Sequence, residues 1–301
     1  MRILVLGRTG HLGIHVAAGL RAVPGAQVLG AGRSAGVEHG VAHRVDLATA
    51  RPEQLAKTLA AVAPDAVVNC AGATGGDAVT LAEVNARGPA VLCAALRDAA
   101  PAARLVHLGS AAEYGPGTPD APVTEAAPTS PVGPYGATKL AGTAAVTAAG
   151  LDAVVLRVGN PVGPGAPATS LPGRITALLR EAGRDPAAVL RLGDLSAYRD
   201  FVDVRDVTRA VVLAATAPGP LPPVLNIGGG RAVPVRELVH ALAGRAGFRG
   251  RVEESTTGSV RSARVSWQCS DISAAGRALG WRPAHTLDDA VTALWESDGT
   301  R

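Results

Sequence analysis

Short apolar runs alternate with longer stretches of helical periodicity through the first half of the chain. Buried strands are predicted at RILVL (2–6), AQVLGAG (26–32), DAVVNCAG (65–72), ARLVHLGS (103–110) and DAVVLRVGN (152–160). Helices are predicted between them, at 11–23, 52–62, 77–99 and 134–149. This alternation is typical of a parallel sheet with helices on both faces. We therefore predict an α/β fold with a doubly wound parallel sheet.

The regular alternation ends near residue 160. A Pro/Gly-rich loop is predicted at NPVGPGAPATSLPG, one short helix with loops within 174–201, and two or three helices in 231–301. FVDVRDVTRAVVLAA and PVLNIGGG predict a return to the sheet. We therefore divide the chain into a sheet domain, 1–160, completed by about 202–228, and a smaller lobe, mainly 161–301, which forms one wall of a cleft.

Composition narrows the function classes. The 301 residues are 47% apolar and 3% aromatic, and no apolar run approaches the roughly 18 residues that a membrane span needs. The opening MRILVLGRTG is too short in apolar residues for a signal peptide, so we predict a cytoplasmic protein. The net charge of +4 comes from dispersed arginines with few aromatics, which favours an anionic small molecule over nucleic acid. Three scattered cysteines without a CxxC pair indicate neither a disulfide framework nor a metal site.

A glycine-rich loop, GRTGHLG, follows the first strand and opens the first helix. Its glycines allow a tight turn, close approach of the backbone to an anion, and close packing of helix on strand. The N–H groups and the helix dipole favour a pyrophosphate there. A plain strand–helix turn is the alternative. We predict that a dinucleotide contacts the whole loop: Gly7, Arg8, Thr9, Gly10, His11, Leu12 and Gly13.

The second strand is followed by arginine rather than by an acidic residue. In the commonest NAD-binding sheets an acid about twenty positions after the glycines binds the ribose 2′-hydroxyl. Here no Asp or Glu occurs between residues 14 and 37. Gly32 occupies the position where the acidic residue is expected, and Arg33 follows it. Arg33 and Arg8 suit a 2′-phosphate by charge and geometry. The pattern favours NADP(H), with NAD(H) possible; solvated surface arginines are the alternative.

Two further turns are predicted to line the cofactor. Asp46, with Leu47 beside it, follows the third strand and is suited to accept a hydrogen bond from an adenine amino group. A loop aspartate or a helix N-cap explains Asp46 equally well. Cys70, Ala71 and Gly72 end the strand DAVVNCAG, where glycine lets the backbone pass close to a cofactor.

A tyrosine and a lysine lie four residues apart in YGATK. The chain has only three tyrosines and two lysines, so a chance pairing is improbable. On a helix, Tyr135 and Lys139 share one face. A neighbouring ammonium favours phenolate, and lowering a phenol pKa from about 10 by roughly 3 units takes about 4 kcal/mol. Tyr135 would then exchange a proton near neutral pH.

Ser110 ends the strand ARLVHLGS at the predicted carboxyl edge of the sheet. Ligands of open α/β sheets bind in the crevice at this edge. The Ser110 hydroxyl can bond a substrate carbonyl and the oxyanion that develops from it. Taken alone, such a serine is more often a helix cap or a loop residue.

These motifs, in this order, resemble the short-chain dehydrogenase/reductase superfamily, and within it the extended NAD(P)-dependent sugar epimerase/dehydratase family. The resemblance extends through NCAG, GSAAEYG, LRVGNPVGPG, YRDFVDVRDV, VLNIGGG and DISAAGRALGWRP. It implies a Rossmann fold with a smaller C-terminal substrate-binding lobe, and places Ser110, Tyr135 and Lys139 on the family's catalytic positions. It also implies nucleotide-sugar contacts from Asn160, Arg199 and Arg261, although surface arginines are an equal alternative for the last two.

Departures from the family pattern narrow the chemistry. Sugar 4,6-dehydratases of the family carry an Asp-Glu pair where this chain has Ala111 and Ala112. Glu113 comes one residue later and, in an extended chain, would face the other way. Dehydration therefore lacks its acid and base. Alanine at position 112 also weakens epimerisation, because 4-epimerases often place Ser or Thr there.

The leading hypothesis is an NADPH-dependent reductase of a nucleotide-activated 4-keto-6-deoxyhexose. A nucleotide-sugar 4-epimerase, a ketoreductase of a non-sugar metabolite and a non-catalytic NADP(H)-sensing regulator remain alternatives. The regulator is disfavoured because such proteins typically lose the tyrosine and the lysine. The resemblance also implies a homodimer through helices 77–99 and 134–149.

Overall fold

The computed structural model describes residues 1–33, 41–255 and 265–297. Its strands are β1 (Arg2–Leu6), β2 (Gln27–Gly32), β3 (His43–Arg44), β4 (Ala66–Asn69), β5 (Arg104–Ser110), β6 (Ala153–Val158), β7 (Asn160–Val162), β8 (Val189–Leu192), β9 (Tyr198–Asp203), β10 (Val224–Ile227), β11 (Ala232–Pro234) and β12 (Arg251–Glu254). Its helices are α1 (His11–Arg21), α2 (Pro52–Val62), α3 (Ala78–Ala82), α4 (Gly88–Ala99), α5 (Pro134–Thr147), α6 (Leu171–Ala182), α7 (Val204–Thr216), α8 (Val235–Ala246), α9 (Ser273–Leu279) and α10 (Leu287–Ser297).

Seven parallel strands form the central sheet, in the order β10-β6-β5-β4-β1-β2-β3. Alternate side chains of β1 belong to opposite layers: Ile3 and Val5 pack with α1 and α7, whereas Leu4 and Leu6 pack with α2 and α4. A strand buried on both faces reads as one continuous apolar run, which is why RILVL shows no alternation. The doubly wound α/β fold is confirmed.

The helix boundaries follow local sequence signals. Proline occupies the first helical position of both α2 and α5, where its missing N–H and fixed φ are tolerated. The predicted helix 52–62 is α2 with the same ends. The predicted helix 77–99 instead contains α3, a π-helical turn at Glu83–Arg87, and α4.

The second half of the chain builds two small sheets with their own core. Strand β9 lies between β11, antiparallel, and β7, parallel, while β12 pairs with β8. Helices α6, α8 and α10 share an apolar cluster with these strands. Within 202–228, only β10 joins the central sheet. Helix α7 packs against one face of that sheet, beside α1. The division of the chain at residue 160 stays a proposal.

Asp206 of α7 fastens the C-terminal segment to the sheet domain. Its fully buried carboxylate accepts hydrogen bonds from the backbone N–H groups of Ala284 (3.0 Å) and His285 (2.9 Å). Its carbonyl oxygen accepts one from the Trp281 indole at 2.9 Å.

Among the described residues, no helix is long and apolar enough to cross a bilayer.

Candidate active site

Three loops meet at the carboxyl edge of the central sheet. They follow β1, β4 and β5, and β4 lies between the other two strands. The predicted glycine loop, the Cys70–Gly72 segment and Ser110 therefore lie on the same edge, where ligands of such sheets bind.

The glycine loop is packed too closely for side chains at two of its glycines. Gly7 has φ +72°, and a Cβ there would lie 2.6 Å from the Ala71 nitrogen. A Cβ on Gly13 would lie only 2.1 Å from the Gly7 carbonyl oxygen. Helix α1 begins within the GRTGHLG motif, at His11, and no side chain caps its N-terminus. Its first N–H groups are thus available to an anion.

Arg8 and Arg33 lie at adjacent strand ends. The N–H groups of Gly7 and Arg8 both donate to the Ala31 carbonyl of β2, at 3.0 and 3.4 Å, and Arg33 follows that strand on the surface. The Arg8 Nε is buried without a hydrogen-bond partner. Burial, with a smaller effect of Arg21, lowers the pKa of Arg8. A guanidinium whose buried Nε has no hydrogen-bond partner, beside an uncapped helix N-terminus, fits an anionic group such as a 2′-phosphate.

Asp46 and Leu47 have structural contacts of their own. The Asp46 Oδ1 accepts the Ala48 N–H at 3.1 Å, which closes the turn before α2. Leu47 is buried in the core layer formed with α2 and α4. Their contacts with a cofactor stay predictions.

The loop after β4 is held by Asn85, which sequence reasoning missed. From the π-helical turn, Asn85 accepts the Ala73 N–H at 2.9 Å and donates to the Ala73 carbonyl at 2.8 Å. It also donates to Thr138 Oγ1 of α5 at 3.3 Å. A Cβ on Gly72 would make an ordinary 3.5 Å contact with Asn85, so the protein itself leaves room there. π-Helical turns are frequent at functional sites. The signal available in the sequence was weak: one asparagine within the predicted helix 77–99.

Tyr135 and Lys139 lie in the first turns of α5, which packs on the turn after Ser110. A Cβ on Gly136 would lie 2.5 Å from the Ala112 carbonyl oxygen. Tyr135 is half-buried, and Lys139 is 5% exposed with its ammonium donating to the Leu108 carbonyl of β5. Burial lowers the pKa of Lys139 to about 8, against the opposing effects of Glu113 and Cys70.

Ser110 is fixed in a reciprocal capping arrangement. Its Oγ accepts the Ala112 N–H at 3.2 Å, and its own N–H donates to Glu113 Oε1 at 2.8 Å. A hydroxyl that accepts in this way keeps its O–H for another acceptor. Residues 111–113 form a 3-10 turn, so the extended chain assumed for Glu113 is wrong. The turn directs the Glu113 carboxylate inward to Arg157, with Nε–Oε2 at 2.8 Å.

Two of the predicted substrate residues, Asn160 and Arg199, lie on neighbouring strands. Asn160 of β7 pairs with Phe201 of β9, two positions from Arg199. Arg199 is 7% exposed, and its guanidinium donates to the Tyr198 carbonyl at 2.7 Å. Arg261 lies outside the described residues.

The Pro/Gly-rich loop after β7 contacts helix α1. The Nε2 atoms of His11 and His15 lie 3.0 and 2.9 Å from the Pro164 carbonyl oxygen. Burial, with a smaller effect of His15, lowers the pKa of His11, which favours its neutral form. The glycine loop is therefore joined to the segment that begins at Asn160.

Asp200, also missed in the sequence, connects β9 to two other segments. Its buried carboxylate accepts N–H groups from Gly230 and Ser270, each at 3.0 Å. Burial raises its pKa to about 6. A Cβ on Gly228 would lie 2.0 Å from this carboxylate.

Several known proteins are similar to this chain in sequence or in fold. The dTDP-6-deoxy-L-talose 4-dehydrogenase (NAD(P)(+)) of Kitasatospora kifunensis is 42% identical over 205 residues, which are 66% of this chain and 64% of that protein. The match thus spans less than two thirds of that relative's length. The structure of RMD from Pseudomonas aeruginosa complexed with NADPH is 26% identical with a TM-score of 0.84, covering 100% of this chain and 99% of that one.

MoeE5 in complex with UDP-glucose and NAD is 27% identical with a TM-score of 0.85, again covering 100% and 99% of the two chains. The model of one protein family, described as the NAD dependent epimerase/dehydratase family, matches residues 3–228. This match covers most of the chain and includes the glycine loop, Ser110 and the Tyr135–Lys139 pair. The chain therefore belongs to the NAD dependent epimerase/dehydratase family.

Proposed function

We propose that the protein is an NADPH-dependent 4-ketoreductase of a nucleotide-activated 6-deoxyhexose. The observation that supports the proposal is the packing of α5, whose Lys139 ammonium donates to the Leu108 carbonyl of β5, against the turn after Ser110, at the sheet edge that also holds the glycine loop. The name of the Kitasatospora relative describes oxidation at C4 of a dTDP-6-deoxyhexose, and reduction of a 4-ketone is the reverse of that reaction.

The residues present fit a dinucleotide. The glycine loop leaves no room for side chains at Gly7 and Gly13, and the uncapped start of α1 supplies N–H donors for a pyrophosphate. The orphaned Arg8 Nε, with Arg33 at the neighbouring strand end, supports NADPH over NADH. Proteins of similar structure have been solved with NADPH and with NAD.

A bound NADPH supplies the hydride that reduces the carbonyl carbon. Ser110 donates its O–H to the carbonyl oxygen and stabilises the charge that develops there. Tyr135 transfers its phenolic proton to the same oxygen, so that the ketone becomes an alcohol, and regains a proton from water. The Lys139 ammonium favours the tyrosinate that this transfer leaves. Asn160, Arg199 and Arg261 are proposed to bind the nucleotide diphosphate.

The test is consumption of NADPH by the purified protein with a panel of 4-keto-6-deoxyhexose nucleotides, followed by product analysis. We expect Tyr135→Phe and Lys139→Arg each to lower kcat by about 100-fold or more. Lys57, exposed on α2, offers a matched control: Lys57→Arg should leave turnover unchanged. Full activity in Tyr135→Phe would contradict the proposal.

A 4-epimerase is the second candidate, because dTDP-L-rhamnose 4-epimerase of Burkholderia thailandensis is 30% identical over 175 residues, 57% of this chain. An epimerase retains its cofactor and returns the hydride to the same carbon. Purification with stoichiometric bound NAD, together with interconversion of two sugars and no net NADPH loss, would favour it. Consumption of NADPH with hydrophobic ketones alone would instead favour a non-sugar ketoreductase.

The predicted homodimer through the region of α4 and α5 also stays a proposal. Light scattering of the purified protein measures the mass directly, and a monomer at assay concentrations would contradict it.

A further inference from the structure

Glu113 lies next to the proposed catalytic residues and has no role in the mechanism above. Its side chain is fully buried, and both carboxylate oxygens are occupied. Oε1 accepts the Ser110 N–H, and Oε2 pairs with Arg157, both at 2.8 Å. An ion removed from water in this way is costly, so its retention requires good partners.

A polar network extends from Glu113 across three strands. Gly109 of β5, Arg157 of β6 and Asn226 of β10 are neighbours in register. The Arg157 guanidinium lies 4.5 Å from the centre of the Tyr114 ring, and the Tyr114 hydroxyl donates to Asn226 Oδ1 at 2.8 Å. The Asn226 amide then donates to the carbonyls of residues 123 and 271, at 2.9 and 3.1 Å. The Ser110 turn is therefore held through Glu113 to the far edge of the sheet.

Gly109 makes the space for the carboxylate. A Cβ at this position would lie 2.8 Å from Glu113 Oε1 and 2.7 Å from a methyl carbon of Val155. The pairing of glycine at 109 with glutamate at 113 within GSAAEYG thus has a steric basis.

Glu113 is also the anionic side chain that faces Lys139 among the described groups. Cys70, directly after β4, and His107, in the middle of β5, both act electrostatically on Lys139 or are acted on by it, and Tyr135 lies on the same helix as Lys139. Burial raises the pKa of the Cys70 thiol to about 12, and burial followed by Lys139 lowers the pKa of His107 well below its usual range. Both groups are consequently neutral near pH 7. Arg157, paired to Glu113, is the other charge of this cluster.

We propose that Glu113 is a positioning residue, which fixes the Ser110 turn and places a buried negative charge beside the Lys139 ammonium. The part played in turnover rests on the proposed function. The charge beside Lys139 can be tested without any substrate. Burial lowers the pKa of Lys139, and the negative charge of Glu113 raises it. Removal of that charge is therefore expected to bring the pKa of Lys139 below about 8.

The presence of only two lysines makes Lys139 directly observable. Protein grown with lysine labelled with 13C at Cε gives two side-chain NMR signals, and Lys57→Arg identifies the one from Lys139. We expect Glu113→Gln to lower the Lys139 titration midpoint by about one pH unit or more, while the Lys57 signal stays constant. An unchanged Lys139 midpoint in folded Glu113→Gln would overturn the proposal.

A second variant guards against misfolding, because Glu113→Gln leaves Arg157 buried without its partner. The pair Glu113→Gln with Arg157→Met removes both charges. We expect it to recover stability and to keep the lowered Lys139 midpoint. Recovery of the wild-type midpoint together with stability would show a purely structural role and overturn the proposal.

Glu113→Asp separates the two parts of the role, since it keeps the charge but is too short to cap Ser110. We expect a lower kcat with an alkaline limb of kcat/KM near that of the wild type. In Glu113→Gln the limb should move to lower pH, because deprotonated Lys139 no longer supports Tyr135. Equal displacement of the limb in both variants would contradict the assignment. Absence of turnover in the wild type would overturn the proposed function, and the NMR titration would still test Glu113.

Discussion

Gly13 provides the sharpest test of the cofactor loop. In Gly13→Ala the new Cβ would lie 2.1 Å from the Gly7 carbonyl oxygen, whereas ordinary contact begins at 3.4 Å. The shortfall of about 1.3 Å must be met by a backbone shift, because the Cβ is rigidly attached to the main chain and the Gly7 oxygen belongs to it; overpacking of this kind costs about 1–3 kcal/mol. The start of α1 therefore moves away from the turn at Gly7, and its N–H groups no longer converge on one pyrophosphate.

We expect Gly13→Ala to weaken NADPH binding by about 10- to 100-fold, since a displacement on the order of 1 Å has effects of this size. Binding is measured by titration of NADPH fluorescence, and stability by thermal unfolding of the same samples. Gly19→Ala is the matched control on α1: its Cβ meets the Thr208 methyl at 2.4 Å, at the end of a side chain that can turn away.

The control should lose some stability but bind NADPH within about twofold of the wild type, because the strain lies far from the N-terminus of α1. A folded Gly13→Ala protein with wild-type affinity would refute the reasoning about the loop. Equal weakening in both variants would instead indicate a general loss of stability.

Three other predictions concern buried polar groups. Asp206→Ala leaves two N–H groups of the 284–285 turn without acceptors, so urea unfolding should show a loss of about 3 kcal/mol, and an unchanged midpoint would contradict this anchor. Asn85→Ala removes both side-chain hydrogen bonds to the Ala73 backbone, and we expect about tenfold weaker NADPH binding by fluorescence titration. Wild-type affinity would show that these two hydrogen bonds do not contribute to cofactor binding. The pKa of Asp200 rises from 3.8 unfolded to about 6 folded, so its contribution to stability is complete below about pH 4 and is lost as pH rises through 6. The stability of the wild type relative to Asp200→Asn should thus fall by on the order of 3 kcal/mol between those limits, and a pH-independent difference would refute it.

The central sheet and its helices were predictable because their signals are local. Continuous apolar runs marked strands buried on both faces, and a proline at the first helical position marked the start of α2 and α5. The family was accessible for the same reason, since its glycine loop and its tyrosine–lysine helix are short contiguous motifs.

The features that the sequence did not predict depend on pairing between distant segments. The predicted return to the sheet at FVD, residues 201–203, is wrong: these residues end β9, which pairs with β7 and β11 instead of the central sheet, and no local pattern specifies that pairing. The roles of Asn85 and Asp200 depend on hydrogen bonds to the backbone of residues 73 and 270, which are distant in sequence, so no local pattern distinguishes them. Glu113 was judged on an extended backbone, whereas its capping of Ser110 depends on a 3-10 turn.

The arrival of β10 late in the chain has a consequence for biosynthesis. While the ribosome is still making residues 159–223, β6 is an open edge of the sheet, ready to pair with another nascent chain. Asn226, which ties Tyr114 to the carbonyls of residues 123 and 271, is also missing during that interval. We expect a polypeptide released before residue 224 to aggregate, even though the glycine loop and the Tyr135–Lys139 helix have been completed by then.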